Sequence, residues 1–424
     1  MAAFLVLQAA RFGDLVQSKR LIRTLESRGR VHLGIEAGLA PLARLLYPAA
    51  EIHPLHLHAQ PQYQALKHNR EMLAQWQATD FQAVYNCNFS GMTAALCRCF
   101  EPELVHGYRP APGGILRSAW ARKAFRLSER RAVSPLNLVD FWAHFADSPV
   151  AADLVNPQAR PGGQGLGVVL AGRESRRSLP VPVLAAVLET AFKALDGPPV
   201  RLLGSKAEQA AARKLLRLLP LRIQERTRDL SGKTDWPGLV DAVRGLDALI
   251  TPDTGIMHLA AHLGVPVLAF FLSSASAHET GPYGRGHFIW QAARACAPCL
   301  ESAPCPHATA CLAPFRQAGL LRSLATCLRG ETGSQAPLPD DLQLWQSNLD
   351  ALGCVLRLQA GSDPQARQRA AVRAALTEFL RLPKAAGDVC GATALQTESA
   401  PAPAVPDDWL CQDLDWMLPP GRYC

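Results

Sequence analysis

Between residues 166 and 271, short aliphatic runs alternate with segments of helical period, and this alternation restricts the fold more than anything else in the chain. Strands are expected over 166–170, 200–203, 247–251 and 267–271, with helices over 207–219, 239–244 and 256–263, the last closed by Gly264. Val183, Leu184, Val187, Leu188, Ala191, Phe192 and Leu195 supply another helical face. Strand and helix at this spacing build a parallel, doubly wound α/β sheet.

The first half repeats the pattern. A strand over 4–7 leads through Arg11-Phe12-Gly13-Asp14 into a helix over 15–28, and further strands are expected over 31–35 and 83–86. With 424 residues the chain exceeds what one core usually organises, ~250 to 300 residues. The Pro- and Gly-rich stretch 149–165 divides it. Three units are expected: 1–155, 156–330, and 331–424. In the last, Leu342, Trp345, Leu349, Leu352 and Leu356 mark one helical face and 366–380 another, ahead of an Ala-, Pro- and Gly-rich tail over 384–406. The fold class is thus α/β, two Rossmann-like domains plus a helical C-terminal extension.

Composition excludes several classes. A hydrophobic fraction of 48% with 19% charged residues is globular, not disordered. No apolar run approaches the ~20 residues of a membrane-spanning helix, and residues 4–7 read as a strand and not a signal peptide, so a cytoplasmic protein is expected. The net charge of +8 suits an anionic partner.

Thr251-Pro252-Asp253-Thr254-Gly255-Ile256-Met257-His258 ends a strand and opens a helix. Asp253 can cap that helix, Gly255 permits close approach of backbone, and the exposed N–H groups suit a diphosphate. His258, one turn in, can donate to a phosphate oxygen. The same string also fits a capped turn without a ligand. Gly13-Asp14 holds the matching place in the first half, where Asp14 fits either a helix cap or a catalytic carboxylate. Arg173, Arg176 and Arg177 follow the strand at 166–170 and suit phosphate recognition or a solvated basic loop. Gly162 to Gly167 precedes its strand, and Gly232-Lys233-Thr234 lacks the first glycine of a Walker loop, so neither is a nucleotide fingerprint.

Cys296, Cys299, Cys305 and Cys311 have enough ligands for a structural tetrahedral zinc, although their spacings only loosely match the usual knuckles. His53, His56 and His58 read as surface or edge-strand residues, since no second ligand group is recognisable near them. Leu116, Trp120, Ala124 and Leu127 share a helical face in a segment with Arg117, Arg122, Lys123, Arg126, Arg130 and Arg131. It fits an anionic lipid or phosphorylated acceptor, or equally a core helix with a solvated basic side.

Taken together, Arg11-Phe12-Gly13-Asp14-Leu15, Leu230-Ser231-Gly232-Lys233-Thr234, Asp253 through Pro266, Gly281-Pro282-Tyr283-Gly284 and Cys296-Ala297-Pro298-Cys299 resemble glycosyltransferase family 9, the lipopolysaccharide heptosyltransferase family. The resemblance covers about residues 3–315 and implies a GT-B architecture, with the acceptor in the first domain and the donor nucleotide in the second. It implies inversion at the sugar with no cofactor or catalytic metal, ADP-heptose as the donor, and a glycan or glycolipid acceptor reached at the inner face of a membrane. No nucleic-acid partner is expected. By position, Asp14 matches the general base, Thr254, Gly255 and His258 the donor-diphosphate turn, Arg177 a lysine facing the donor, and Thr234 a place beside the base. Gly13, Asp253 and Met257 complete the expected donor-binding set. Three departures stand out: Arg177 replaces that lysine, Leu179 an aromatic residue, and Lys206 stands near a place where some members carry an acid on the ribose. Rival readings are a non-hydrolysing nucleotide-sugar epimerase and a non-catalytic nucleotide-sugar-binding protein.

Overall fold

The computed structural model describes residues 1–57, 62–171, 175–300, 303–331 and 337–383. Its first sheet comprises β1 (Ala3–Gln8), β2 (Arg30–Glu36), β3 (Glu51–Leu55), β4 (Ala83–Asn86), β5 (Val105–Ala111) and β6 (Gly114–Arg117), in the order β3-β2-β1-β4-β5-β6. Neighbours among β1 to β5 run parallel, and β6 returns antiparallel along β5. β1 and β4 are buried along their whole lengths, which is why they read as unbroken apolar runs rather than alternating ones. The helix expected over 15–28 is two, Phe12–Gln17 and Lys19–Glu26. They break at Ser18, whose ψ is −1° and whose hydroxyl donates to the Asp14 carbonyl at 2.8 Å.

The second sheet comprises β7 (Leu166–Val169), β8 (Val200–Leu203), β9 (Thr227–Asp229), β10 (Ala248–Pro252), β11 (Val267–Phe271), β12 (Phe288–Ala292), β13 (Leu342–Leu349) and β14 (Cys354–Ala360), in the order β14-β13-β12-β11-β10-β7-β8-β9. The last two strands correct an expectation. Leu342, Trp345, Leu349, Leu352 and Leu356 do not share a helix; β13 pairs antiparallel with β12 and β14 with β13. β12 would otherwise be an open edge, and pairing it satisfies a row of backbone groups that a helix would leave unmatched. Asp350 turns the chain between them, its carboxylate accepting from the amides of Leu352 and Gly353 at 2.9 and 3.1 Å. Only 366–379 is helical as expected, as Ala366–Phe379. Residues 384–406 lie outside the described residues.

The two sheets are joined by buried contacts. Asp140, 1% exposed, accepts from Arg20 Nη1 at 2.6 Å, from the Tyr283 hydroxyl at 2.7 Å and from the Cys354 amide at 2.8 Å. Arg20 Nη1 also donates to the Leu352 carbonyl at 2.8 Å. A Cβ on Gly353 would stand 2.0 Å from the Asp140 carboxylate, so only glycine lets the β13–β14 turn reach this hub. The final helix closes back onto the first unit, with Arg369 donating to the Ala132 carbonyl, Arg373 to that of Pro135, and Phe379 stacked on Trp120.

Candidate active site

In the first sheet the strand order reverses between β1 and β4, and the turn carrying Asp14 leaves β1 at that point. A chain of amides holds the turn. Asn88 accepts from the Ala9 amide at 2.7 Å and donates to Gln8 Oε1 at 2.7 Å, and Gln8 donates to the Ser18 hydroxyl at 2.8 Å. Asp14 lies inside the first turn of its helix, not at its cap, and its Oδ2 accepts from the Arg11 amide at 3.0 Å. Loss of hydration lifts the Asp14 carboxyl above the ordinary range; the Arg11 amide and guanidinium oppose this, and the Asp253 carboxylate adds to it.

The second sheet reverses between β7 and β10. Arg177 follows β7, Asp253 follows β10, and the two pair across the switch. Asp253 is therefore not the helix cap. Thr254 is, its hydroxyl accepting from the Met257 amide at 3.4 Å and meeting the Thr251 hydroxyl at 3.1 Å. The Asp253 carboxylate instead accepts from the Thr280 hydroxyl at 2.9 Å, with His258 Nε2 3.9 Å away. Burial pushes His258 down to about 4, against the pull of Asp253 and with the help of Arg177. At neutral pH it is an uncharged imidazole that can donate one N–H.

The two turns touch. A Cβ on Gly255 would lie 2.3 Å from the Phe12 ring, and one on Gly13 would lie 3.3 Å from His258 Cδ2. Phe12 and Gly13 pack directly on the Gly255–His262 helix. Thr234 sits in the loop between β9 and the helix Trp236–Val243, at the same sheet edge, and Trp236 reaches over to Phe12 with ring centroids 5.1 Å apart. Met257 is the exception among the expected donor contacts: its side chain is fully buried in the core, so its backbone amide serves the cap and its side chain serves packing.

Arg176 also departs from expectation, donating to the carbonyls of Leu300 and Ala303. Arg173 and His58 lie outside the described residues. The four clustered cysteines lie near one another, since burial raises the Cys311 thiol and Cys299, Cys305 and Cys296 add to it, while no three of their sulfurs lie within 4.8 Å of one another. Cys311 is buried in the core, Cys299 Sγ meets the Ser273 hydroxyl at 3.3 Å, and Cys305 accepts from the Thr309 amide. His53 lies on the edge strand β3, one of the two expected placements, but is buried there, with His32 and Glu51 as near neighbours. The basic segment is partly absorbed: Arg117 lies 4.0 Å over the Phe125 ring and Arg131 pairs with Glu279, while Arg122, Arg130 and Leu116 are exposed. Sequence reasoning missed Thr280, Asn88 and Gln8. Thr280 immediately precedes the Gly281-Pro282-Tyr283-Gly284 string and was legible by adjacency; the two amides had no signal beyond their strand ends.

Residues 190–307 match the family described as Glycosyltransferase family 9 (heptosyltransferase). Over 76 residues the chain is 32% identical to lipooligosaccharide heptosyltransferase 2 of Haemophilus influenzae, a match that spans 18% of this chain and only 22% of that protein. Among solved structures, the family 9 glycosyl transferase of Veillonella parvula superposes with a TM-score of 0.55 at 14% identity, covering 68% of this chain and 86% of that one. The E. coli heptosyltransferase WaaC with ADP gives a TM-score of 0.52 at 16% identity, covering 68% and 93%. The resemblance to glycosyltransferase family 9 stands, and the fold is the α/β GT-B fold of those structures. No helix among the described residues is long and apolar enough to cross a membrane.

Proposed function

We propose that this chain is an inverting, metal-independent glycosyltransferase that moves a sugar, heptose from ADP-heptose, onto a lipopolysaccharide-core or similar cell-surface glycan. The observation that carries this reading is the packing of the turn that bears Asp14, through Phe12 and Gly13, on Gly255 and His258 at the strand-order reversals of two adjoining sheets. The family match over 190–307 supports it, and the ADP in the WaaC structure supports the choice of nucleotide.

In this reading the donor diphosphate lies at the N-terminus of the helix Gly255–His262, where unpaired N–H groups and the positive end of the helix dipole stabilise it. His258 contributes an N–H without charge. Arg177 supplies the cation, and its pairing with Asp253 fixes its direction at the cost of part of its field. Asp14 takes the acceptor's hydroxyl proton as that oxygen attacks the anomeric carbon, the bond to the diphosphate breaks on the opposite face, and the helix end takes up the developing negative charge. A carboxyl lifted above its ordinary range is the better base for this step. A glycolipid acceptor at the inner face of a membrane would approach along the exposed Arg122, Arg130 and Leu116.

The test is calorimetric titration with ADP, UDP and GDP in the absence of divalent metal, followed by product analysis with ADP-heptose in the presence and absence of a core-oligosaccharide acceptor. ADP binding that disappears in Thr254→Trp, with transfer only when acceptor is present, is the expected result. Preference for UDP or GDP overturns the donor, and turnover of donor alone points to an epimerase.

A further inference from the structure

On the first sheet, remote in sequence from the Asp14 turn, His32, Glu51 and His53 converge. β2 and β3 pair in parallel with His32 opposite Glu51 and Gly34 opposite His53. Residues opposite one another, and those two apart on one strand, share a face, so all three side chains project to the same side. That side carries Phe81, edge-on to His32 at 5.1 Å, and Trp76, 6.0 Å from His53. The histidines are each 4% exposed, while the Glu51 side chain is 62% exposed.

We propose that His32 Nδ1, His53 Nε2 and a Glu51 carboxylate oxygen form a zinc site that clips the edge strand β3 onto β2, with water on the solvent side as fourth ligand. His32 Nδ1 and His53 Nε2 stand 2.9 Å apart, Glu51 Oε2 is 3.4 Å from the first and Glu51 Oε1 is 3.5 Å from the second, and one ligand atom from each residue lies within 4.8 Å of the others. Zinc bound to nitrogen and oxygen at ~2.0 to 2.1 Å in tetrahedral geometry holds its ligands about 3.3 to 3.4 Å apart, so one ion fits between them with little movement. Two imidazoles select zinc over calcium or magnesium, and one carboxylate offsets half of its charge. Without an ion, two buried rings share a single proton and have one exposed carboxylate for company. With zinc on Nδ1, the proton of His32 sits on Nε2, a buried atom with no hydrogen-bond partner among the described residues. The site therefore binds more weakly than one with a hydrogen-bonded outer shell. The gain goes to β3, an edge strand held by backbone bonds on one side only.

The experiment strips the full-length chain with a chelator and titrates zinc by calorimetry, with thermal melts beside it and no nucleotide sugar present, so its outcome is independent of the glycosyltransferase reading. Four proteins are compared: the wild type, Glu51→Gln, His53→Ala, and Cys299→Ser/Cys305→Ser to remove the thiols. Glu51 is exposed, so its variant folds even if His53→Ala does not. One zinc per chain in the wild type and in the cysteine variant, lost in Glu51→Gln together with the zinc-dependent rise in Tm, is the expected result. Cobalt in place of zinc should then show d–d bands without a thiolate charge-transfer band. A wild type that binds no zinc, binding unchanged in Glu51→Gln, or a thiolate band lost with the cysteines would each overturn the proposal.

Discussion

In the proposed reaction Asp14 is the base, and three influences act on it: the side-chain hydrogen bonds among Gln8, Asn88 and Ser18 that hold its turn, the loss of water around it, and the nearby Asp253. A raised pKa means that the carboxyl stays protonated to higher pH, so the acid limb of kcat/KM is expected above the ordinary aspartate value of ~3.9. Asp14→Asn is expected to lower transfer by ~10² to 10⁴-fold. ADP affinity, measured by titration, should not change, since in the proposed reaction Asp14 serves the acceptor. Gly255 makes a different demand. A methyl group there meets the Phe12 ring at 2.3 Å, and Trp236 stands behind that ring. Gly255→Ala should therefore cost on the order of 1 to 3 kcal/mol of overpacking, read as a lower urea midpoint, and weaken ADP binding as the Phe12 turn is displaced. The aspartates and Gly255 were legible as motif residues. The pairing of Arg177 with Asp253 was not, because the two are brought together only by the adjacency of β7 and β10.

Among the elements, the parallel strands were the most legible and the C-terminal hairpin the least. β7, β10 and β11 are short, wholly buried runs, and burial on both faces makes hydrophobicity continuous whatever the phase. β13 is different. Leu342, Trp345 and Leu349 recur at helical spacing, yet the strand buries Leu342, Gln343, Leu344 and Trp345 in succession against β12 and the layers around it. The local signal that could have broken the tie is Asp350 with Gly353, a turn pair between two runs. Trp345 is 3% exposed and packs edge-on to His278 at 4.9 Å, so Trp345→Ala should cost ~3 to 5 kcal/mol in chemical denaturation. If the segment were instead an appended surface helix, the same change would barely move the midpoint.

At the scale of the whole molecule, the Asp140 hub links the helices Lys19–Glu26 and Leu138–Ala143 to Tyr283 and the β13–β14 turn. Removing the Asp140 carboxylate leaves Arg20, 2% exposed, without its counter-ion, and Asp140→Ala is expected to destabilise the fold by ~3 to 5 kcal/mol, with both units melting earlier. Buried histidines set the acid limit. Burial pushes His144, His258 and His287 down to about 4 and lowers His262 and His278 well below the ordinary value. A histidine whose folded pKa lies below its unfolded ~6.5 gives full stability above that pH and loses it as pH falls toward the folded value, because the unfolded chain takes up the proton first. The urea midpoint should thus fall steadily from about pH 6.5 to 4, and His287→Asn, by removing one such group, should flatten the slope. What the sequence determined by itself was local: the strands over 4–7, 31–35, 83–86, 166–170, 200–203, 247–251 and 267–271, and the turns that open helices after them, since these depend on side-chain period and backbone preference within a few neighbours. Only the tertiary structure decided that 342–360 completes the second sheet, that Asp140 and Tyr283 join the two units, and that His32, Glu51 and His53 share one face, since each depends on pairings between segments far apart in the chain.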